Sequence, residues 1–219
     1  MATFEDIKKS EDIRAYITCA DESLIALGYT EHSFAHVARV AETARYILSE
    51  MGYSSRDCEL AQMAAWLHDI GNLVNRIDHA QSGAVMAFRI LESMGENPRD
   101  IAKIVTAIGN HDEGTAVAVN PIAAALILGD KTDVRRSRVR NRDITNFDIH
   151  DRVNYSVRES HVTINPQKTT VTLTLSIDPH YCSLMDYFEI FLDRMLLCRK
   201  AAEKLNLKFQ LIINGQQMV

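Results

Sequence analysis

The sequence predicts a mainly helical fold with a small C-terminal α+β appendage, and two observations support this prediction. Through roughly residue 135, apolar residues recur at helical spacing, in segments that begin at capping residues and end at glycines. Later in the chain, β-branched runs of strand length flank one long amphipathic segment. We therefore place a boundary near Thr145, with a helical domain over residues 1–144 and a β-β-α-β appendage over residues 145–219.

Six helices are predicted in the first part of the chain. The first runs from about Phe4 to Leu27 and stops at Gly28. Two asparagine-proline pairs each supply a helix cap followed by a favourable first helical residue. The other five predicted helices run from a Ser33 cap to Gly52, from a Ser55 cap to Gly71, from His79 to Met94, from Asn97-Pro98 to Gly109, and from Asn120-Pro121 through Leu128.

The appendage is predicted to contain three strands and one long helix. Val153–Ile164 and Thr170–Ile177 read as strands, with a turn at residues 165–167 between them. Strict alternation of threonine with valine or leucine from Thr170 predicts a second strand with one solvated face. A helix over about Leu184 to Leu205 and a third strand over Leu207–Ile213 complete the unit.

Composition and charge limit the classes of function. Hydrophobic residues make up 47% of the chain and charged residues 24%, as in ordinary soluble proteins. The net charge of -5 gives no reason to expect a nucleic-acid or membrane partner. The four scattered cysteines form no CxxC pair, and the N-terminus has no apolar signal-peptide core. We therefore expect a cytoplasmic protein.

The strongest chemical signal is a dispersed set of histidines and aspartates. Each lies in or beside a predicted helix, and nearly all have apolar neighbours. Imidazoles and carboxylates buried in a helical core need a partner, and a metal ion is a common one. The set comprises His36, His68, Asp69, His79, His111 and Asp130.

Three His-Asp pairs occur, and their contexts differ. His68-Asp69 follows an apolar helix just before a glycine, where two adjacent side chains can converge more easily than within a helix. His111-Asp112 also lies at a helix end, whereas His150-Asp151 is interpreted as part of a solvated linker. Imidazole and carboxylate together suit iron, manganese, cobalt or zinc.

The arrangement of His36, His68-Asp69 and Asp130 on successive helices resembles the signature of the HD-domain metal-dependent phosphohydrolases. The resemblance covers roughly residues 30–135 and implies an all-helical HD domain. It also implies that these four residues hold one metal ion. His32 lies one turn before His36 and is an alternative first ligand, although the spacing of the following residues favours His36.

His79 and His111 fall between the HD pair and the last aspartate. This placement resembles the dinuclear bacterial branch of the superfamily, which includes symmetrical dinucleoside-tetraphosphate hydrolases. The resemblance implies a second ion on His79 and His111, with Asp69 as a bridging catalytic residue. Iron or manganese are the expected ions, and zinc, cobalt, nickel or magnesium are alternatives.

Two basic residues, Lys131 and Arg135, are candidates for substrate binding, and Lys131 is also a candidate catalytic residue. Lys131 follows Asp130 and is placed to neutralise a phosphate, and Arg135 lies one turn further on. The alternative is that both simply complement a helix C-terminus. Many HD hydrolases have a lysine that often helps to hold phosphate after the HDIG sequence, whereas this chain has Asn72, which leaves its phosphate contacts open.

The expected function is divalent-metal-dependent hydrolysis of a phosphoester or phosphoanhydride in a small phosphorylated molecule, with a nucleotide preferred. A di-iron oxygenase of the same superfamily and a non-catalytic binding module are the alternatives. The appendage either pairs two chains, giving a homodimer, or covers the site. His161 and His180 are expected to be exposed, and Trp66 to be core packing.

Overall fold

A computed structural model describes residues 1–219 and confirms a mainly helical chain with a small C-terminal sheet. The helices are α1 (Phe4–Lys9), α2 (Glu11–Ala26), α3 (Phe34–Glu50), α4 (Ser55–Leu67), α5 (His79–Ser93), α6 (Pro98–Gly109), α7 (Pro121–Lys131), α8 (Ile149–Ser156) and α9 (Leu184–Lys204). The strands are β1 (Val157–Ile164), β2 (Thr170–Ile177), β3 (Lys208–Ile213) and β4 (Gln216–Gln217). None of the helices is both long and apolar enough to span a lipid bilayer.

Capping serines account for two differences from the predicted helices. The single helix predicted from Phe4 to Leu27 is divided at Ser10, whose extended backbone ends α1. The Ser10 side chain then accepts a hydrogen bond from the backbone N–H of Ile13 and caps α2. Helix α4 is capped by Ser54, one residue before the predicted Ser55.

The first strand begins later than predicted, because its predicted start belongs to a helix. Asp148 accepts a hydrogen bond from the N–H of Asp151 and caps α8, so residues 153–156 are helical. The strand prediction for these residues is wrong, and the strand starts at Val157. The interpretation of His150-Asp151 as part of a linker is also wrong, since both residues lie on α8.

The sheet has the strand order β1-β2-β3-β4. Strands β1 and β2 are antiparallel, whereas β3 runs parallel to β2 after the crossover through α9. The predicted alternation in β2 is confirmed, because alternate residues from Val171 to Ile177 are buried and those between them are partly exposed. The short strand β4, which was not predicted, pairs with β3 after a turn at Asn214-Gly215 with positive φ at both residues.

Helix α7 is the central element of the core, and all its residues from Ile122 to Lys131 are buried. It packs against α3, α4 and α6 on the helical side and against α9 from the C-terminal part. The hydrophobic core includes residues from both sides of the boundary near Thr145, which stays a prediction. Because α7 is enclosed, the polar residues at its C-terminal end are buried as well.

Gly71 allows a close approach between two segments that carry site residues. It lies in a 3-10 turn, Ile70–Leu73, that follows α4 and packs against α5. A Cβ atom at this position would overlap the carbonyl oxygen of His79 and lie 2.5 Å from the backbone nitrogen of Gly83. Both obstacles are backbone atoms, so only glycine lets α5 begin where it does.

We predict that Gly71→Ala destabilises the protein by about 1–3 kcal/mol or more, because the backbone of α5 must move away. The measurement is the free energy of unfolding in urea. Gly109→Ala is the matched control, since its Cβ would meet only the Ala84 side chain at 3.6 Å. That control is expected to leave stability unchanged or to raise it, because alanine favours a helix over glycine. Equal effects of the two substitutions would contradict the prediction.

Candidate metal centre

The six predicted ligand residues converge at one buried point where several helices begin or end. His36 lies in the first turn of α3, while His68 and Asp69 directly follow α4. His79 begins α5, His111 follows α6, and Asp130 lies in the last turn of α7. Relative exposure is 9% or less for each of them. The structure therefore brings all six predicted residues together, and their role as metal ligands stays a prediction.

One half of the centre contains His36, His68 and Asp130. The Nε2 atoms of His36 and His68 lie 3.4 and 3.8 Å from Oδ1 of Asp130. The same two nitrogens lie 3.6 and 3.1 Å from Oδ2 of Asp69. Two imidazole nitrogens and two carboxylate oxygens thus surround one small volume.

The other half contains His79 and His111. Their Nε2 atoms are 3.2 Å apart and lie 3.5 and 3.9 Å from Oδ1 of Asp69. The two carboxylate oxygens of Asp69 therefore face different pairs of histidines. Asp69 lies between the two halves, which is the position that a bridging carboxylate requires.

The hydrogen bonds of the rings fix which nitrogen is free. Nδ1 of His68 lies 2.7 Å from the carbonyl oxygen of Ala65, and Nδ1 of His111 lies 2.6 Å from that of Ile108. Nδ1 of His79 likewise lies 3.0 Å from the carbonyl oxygen of Arg76. A carbonyl only accepts, so Nδ1 carries the proton in each ring, and in the neutral ring Nε2 has a free lone pair. This is the tautomer in which Nε2 ligates a metal.

The donor atoms fit a divalent cation. Nε2 of His36 and Nε2 of His68 are fully buried and have no hydrogen-bond partner. Buried polar atoms without a partner are costly and rare in folded proteins. Two groups of three residues each have potential ligand atoms that all lie within 4.8 Å of one another. Asp69 belongs to the second group. These groups are His36 with His68 and Asp130, and His68 with Asp69 and His111.

The two central carboxyls are ionised despite their burial. Burial opposes ionisation of Asp69, but the positive charge of the adjacent His68 ring holds its pKa well below the usual range. Burial has the same effect on Asp130, and there Lys131 and His36 hold the pKa well below the usual range. Burial lowers the pKa of His79 and, more strongly, that of His111. The second half of the centre therefore presents neutral imidazoles beside an anionic carboxylate.

Asp133 was missed as a site residue. Its Oδ2 lies 2.8 Å from Nδ1 of His36, and it is 1% exposed. Burial opposes its ionisation, but the hydrogen bond from His36 and the charge of Arg138 hold its pKa well below the usual range. A carboxylate that receives Nδ1–H of a ligating histidine orients the ring and raises its basicity. Its spacing of three residues after Asp130 is the signal that was available in the sequence.

Asn72, which departs from the family pattern, contacts the carboxylate of Asp69 directly. Its side-chain Nδ2 donates to Oδ1 of Asp69 at 3.0 Å and to the backbone oxygen of Asp69 at 2.9 Å. Asn72 is 2% exposed. The amide therefore fixes the orientation of Asp69 from the side of the His79–His111 pair.

The two predicted substrate-binding cations are placed differently. Nζ of Lys131 lies 2.7 Å from Oδ2 of Asp130, and the side chain lines the cavity above the centre. Arg135 instead pairs with Asp133 and Glu31 at 2.9 and 3.0 Å and is absent from the cavity lining. The structure thus places Lys131 at the site, whereas Arg135 forms an ion pair with Asp133 and does not face the cavity.

The remaining histidines have distinct positions. His32 lines the cavity, its ring centroid is 5.5 Å from that of His36, and its Nδ1 donates to the carbonyl oxygen of Thr30. Burial lowers the pKa of His32 well below its usual value. His161 and His180 are exposed, as predicted, and Trp66 is buried in the core.

A cavity of about 440 Å³ lies above the centre. Helices α8 and α9 form part of its wall through Asn154 and Phe191, so the C-terminal part of the chain contributes residues to this cavity. Carboxylates outnumber the permanently cationic side chains in the lining by six to four. The cations are Arg76, Lys131, Arg138 and Arg194, and the carboxylates are Asp69, Asp112, Glu113, Asp130, Asp148 and Asp151.

The fold and the centre together define a mainly helical protein with a buried His/Asp cluster suited to a divalent cation. The profile of the HD domain family matches residues 33–152, more than half of the chain. The chain therefore belongs to the HD domain family.

Two individual proteins are similar to this chain. An uncharacterised protein of Methanocaldococcus jannaschii is 25% identical over 159 residues, which cover 63% of this chain and 61% of that protein. The chain thus spans about three-fifths of the length of this relative. A crystal structure of a predicted HD superfamily hydrolase from an uncultured Thermotogales bacterium aligns with a TM-score of 0.43 at 25% identity, covering 62% of this chain and 75% of that chain.

We predict that Asp133→Asn weakens binding of a divalent ion by roughly 10- to 100-fold while the fold is retained, because His36 loses its anionic partner. The dissociation constant is measured by competition with a coloured chelator. Asp178→Asn is the matched control, since Asp178 is another buried aspartate paired with arginine but contacts none of the six predicted ligand residues. If both variants bind metal as tightly as the unmodified protein does, Asp133 does not support His36 as a metal ligand.

We also predict that metal affinity falls as the pH is lowered and that binding releases protons. Burial opposes protonation of His68, but Asp69 and Asp130 outweigh it and raise the pKa of His68. An ion at Nε2 must displace that proton, so competition begins at a higher pH than for a free imidazole. Calorimetry in two buffers of different ionisation enthalpy measures the protons released. A metal affinity that does not change with pH would contradict this assignment.

Proposed function

We propose that this chain is a divalent-metal-dependent hydrolase that cleaves a phosphoester or phosphoanhydride bond in a small phosphorylated molecule, with a nucleotide as the preferred class. The observation that best supports this proposal is the position of Asp69. Its two oxygens face separate histidine pairs at the floor of a cavity that also contains cationic side chains.

The residues fit a dinuclear centre. His36, His68 and Asp130 would hold one ion, His79 and His111 the other, and Asp69 both. Iron and manganese are the preferred ions, because the donors are nitrogen and oxygen without thiolate. Divalent ions bound here supply Lewis acidity to phosphoryl oxygens and lower the pKa of a coordinated water.

The protein itself sets the geometry of the ligands before any substrate arrives. Each histidine is fixed through Nδ1 by a carbonyl or by Asp133, and Asp69 is fixed by Asn72. Ligands held in this way do not need to reorganise during the reaction, and such preorganisation is a principal source of catalytic power. Burial of the cluster also keeps bulk water away from the reacting groups.

Lys131 is the side chain best placed to contact a phosphoryl group on the Asp130 side. Its ammonium is held between Asp130 at 2.7 Å and Glu113 at 3.7 Å and lines the cavity. From this position it donates a hydrogen bond to a phosphoryl oxygen and offsets negative charge that develops there. Arg135 is assigned no substrate contact, since it is paired with Glu31 and Asp133.

The charge balance of the cavity supports a metal-dependent reaction of an anionic substrate. Without bound ions the lining carries more carboxylates than permanently cationic side chains, which would repel phosphate. Two divalent ions would reverse this balance.

The size of the cavity suits a small molecule, because its volume of about 440 Å³ falls within the range of roughly 300–1,000 Å³ usual for small-molecule sites. The partly exposed ring of Tyr29 at the cavity wall offers a surface on which a nucleotide base can stack.

The test combines metal analysis with measurement of phosphate release. We expect about two ions per chain in protein purified without chelators, and one or fewer in the double variant His79→Ala/His111→Ala. Phosphate release from a panel of nucleotides should fall by at least about 100-fold in that variant, because even loss of an outer ligand partner costs roughly 10- to 100-fold. The control His161→Ala/His180→Ala removes two exposed histidines and should change neither quantity.

Each other outcome has a definite meaning. One ion per chain that is unchanged in the double variant would replace the dinuclear proposal with a mononuclear centre. Two iron ions with oxygen consumption and no phosphate release would favour the oxygenase alternative. No metal under any loading condition would exclude metal-dependent hydrolysis, and a binding module would then be the better description.

A further inference from the structure

Arg76 differs from the other cationic side chains that line the cavity, because no carboxylate oxygen lies within 4.0 Å of its guanidinium. The other three are each paired: Lys131 with Asp130 and Glu113, Arg194 with Glu113, and Arg138 with Asp133. A partly buried arginine with no acidic partner in a functional cavity is available to an external anion.

The position of Arg76 is set by two contacts with residues of the site. Its Nη1 donates to Oδ1 of Asn72 at 3.2 Å, and Asn72 in turn donates to Oδ1 of Asp69. The guanidinium also lies 5.4 Å from the ring centroid of Tyr29, which lines the same cavity. Arg76 is thus linked to the bridging carboxylate through a single amide side chain.

This link places the guanidinium beside the second half of the centre. Nη1 of Arg76 lies 3.5 Å from Nε2 of His79, the nitrogen that faces Asp69. An oxygen atom that approaches an ion held by His79 and His111 therefore comes within hydrogen-bond reach of Arg76. Only one hydrogen bond of the guanidinium, to Asn72, has an oxygen acceptor within the protein, so most of its five N–H donors remain for such an oxygen.

We propose that Arg76 binds a phosphoryl group of the substrate on the His79–His111 side of the centre, and that Asn72 positions it there. This inference rests on the proposed function. The planar fork of the guanidinium matches two phosphoryl oxygens, a geometry that lysine does not offer. Together with Lys131 beside Asp130, Arg76 provides a cationic contact at each half of the centre.

The test uses inorganic phosphate as the probe and the manganese-loaded protein. In Arg76→Ala we expect the dissociation constant for phosphate to rise by about 10- to 100-fold, the range for a hydrogen bond to a charged group. Arg76→Lys should recover only part of the affinity, because it restores the charge without the fork. Metal content should remain that of the unmodified protein. With a hydrolysed nucleotide, KM should rise more than kcat falls.

Arg89→Ala is the matched control, since Arg89 is an exposed arginine on α5 that pairs only with Glu92. It should leave phosphate affinity unchanged. Asn72→Ala removes the anchor of the arginine and also a hydrogen bond to Asp69, so it is compared at saturating manganese. With the metal content unchanged and Arg76 still present, weaker phosphate binding in this variant would reflect the positioning role of Asn72.

Three results would overturn the inference. If Arg76→Ala keeps both metal and phosphate affinity while the unmodified protein releases phosphate, Arg76 has no binding role and the proposed function stands. If Arg76→Ala loses metal together with phosphate, Arg76 acts through His79 instead. If the unmodified protein loads metal but neither binds nor releases phosphate, the proposed function fails, and the role of Arg76 fails with it.

Discussion

The carboxylate of Asp69 is the constraint on which the rest of the site depends. One oxygen faces His36 and His68, and the other faces His79 and His111, so four imidazoles from four parts of the chain are arranged around one side chain. The residues packed next to Asp69 keep its carboxylate in this position. Gly71, two residues later, lets α5 approach closely enough for His79 to reach the carboxylate, and Asn72 holds the carboxylate in place. A shift of this one segment would therefore separate the two halves of the centre.

Burial explains why such a cluster indicates function. Six ionisable or polar ligand side chains in a helical core lower stability unless each has a partner, and two imidazole nitrogens have none within the protein. The support is extensive: carbonyls at the ends of α4 and α6 hold His68 and His111, and Asp133 holds His36. Helix α7, enclosed on all sides, carries Asp130 to the same point. Burying these side chains without a metal ion lowers the stability of the fold. A bound cation would pair with the two imidazole nitrogens that have no partner.

The residues that could be predicted from the sequence are those whose signals are local. Asn97-Pro98 and Asn120-Pro121 mark helix starts within two residues, and the order of His36, His68-Asp69 and Asp130 fits a family pattern.

One contact that was missed joins distant segments. Asp133 meets His36 across 97 residues of chain, and no local pattern pairs them. Helix α8 was misread because valine and tyrosine favour strands, whereas packing against α9 and the cap at Asp148 favour a helix. Arg76 and Asn72 were missed for a different reason. Their contacts with Asp69, with each other and with His79 span only three or four residues, but these residues lie in and after a 3-10 turn, where no regular period indicates which way a side chain points.

The position of Asp69 between two ions can be tested by anomalous X-ray diffraction from crystals of the manganese- or iron-loaded protein. We expect two anomalous peaks about 3.5–4 Å apart. One should lie among His36, His68 and Asp130, and the other beside His79 and His111, with a carboxylate oxygen of Asp69 coordinating each. A single peak on one side of Asp69, or metal bound only outside the cavity, would contradict the bridging role of Asp69.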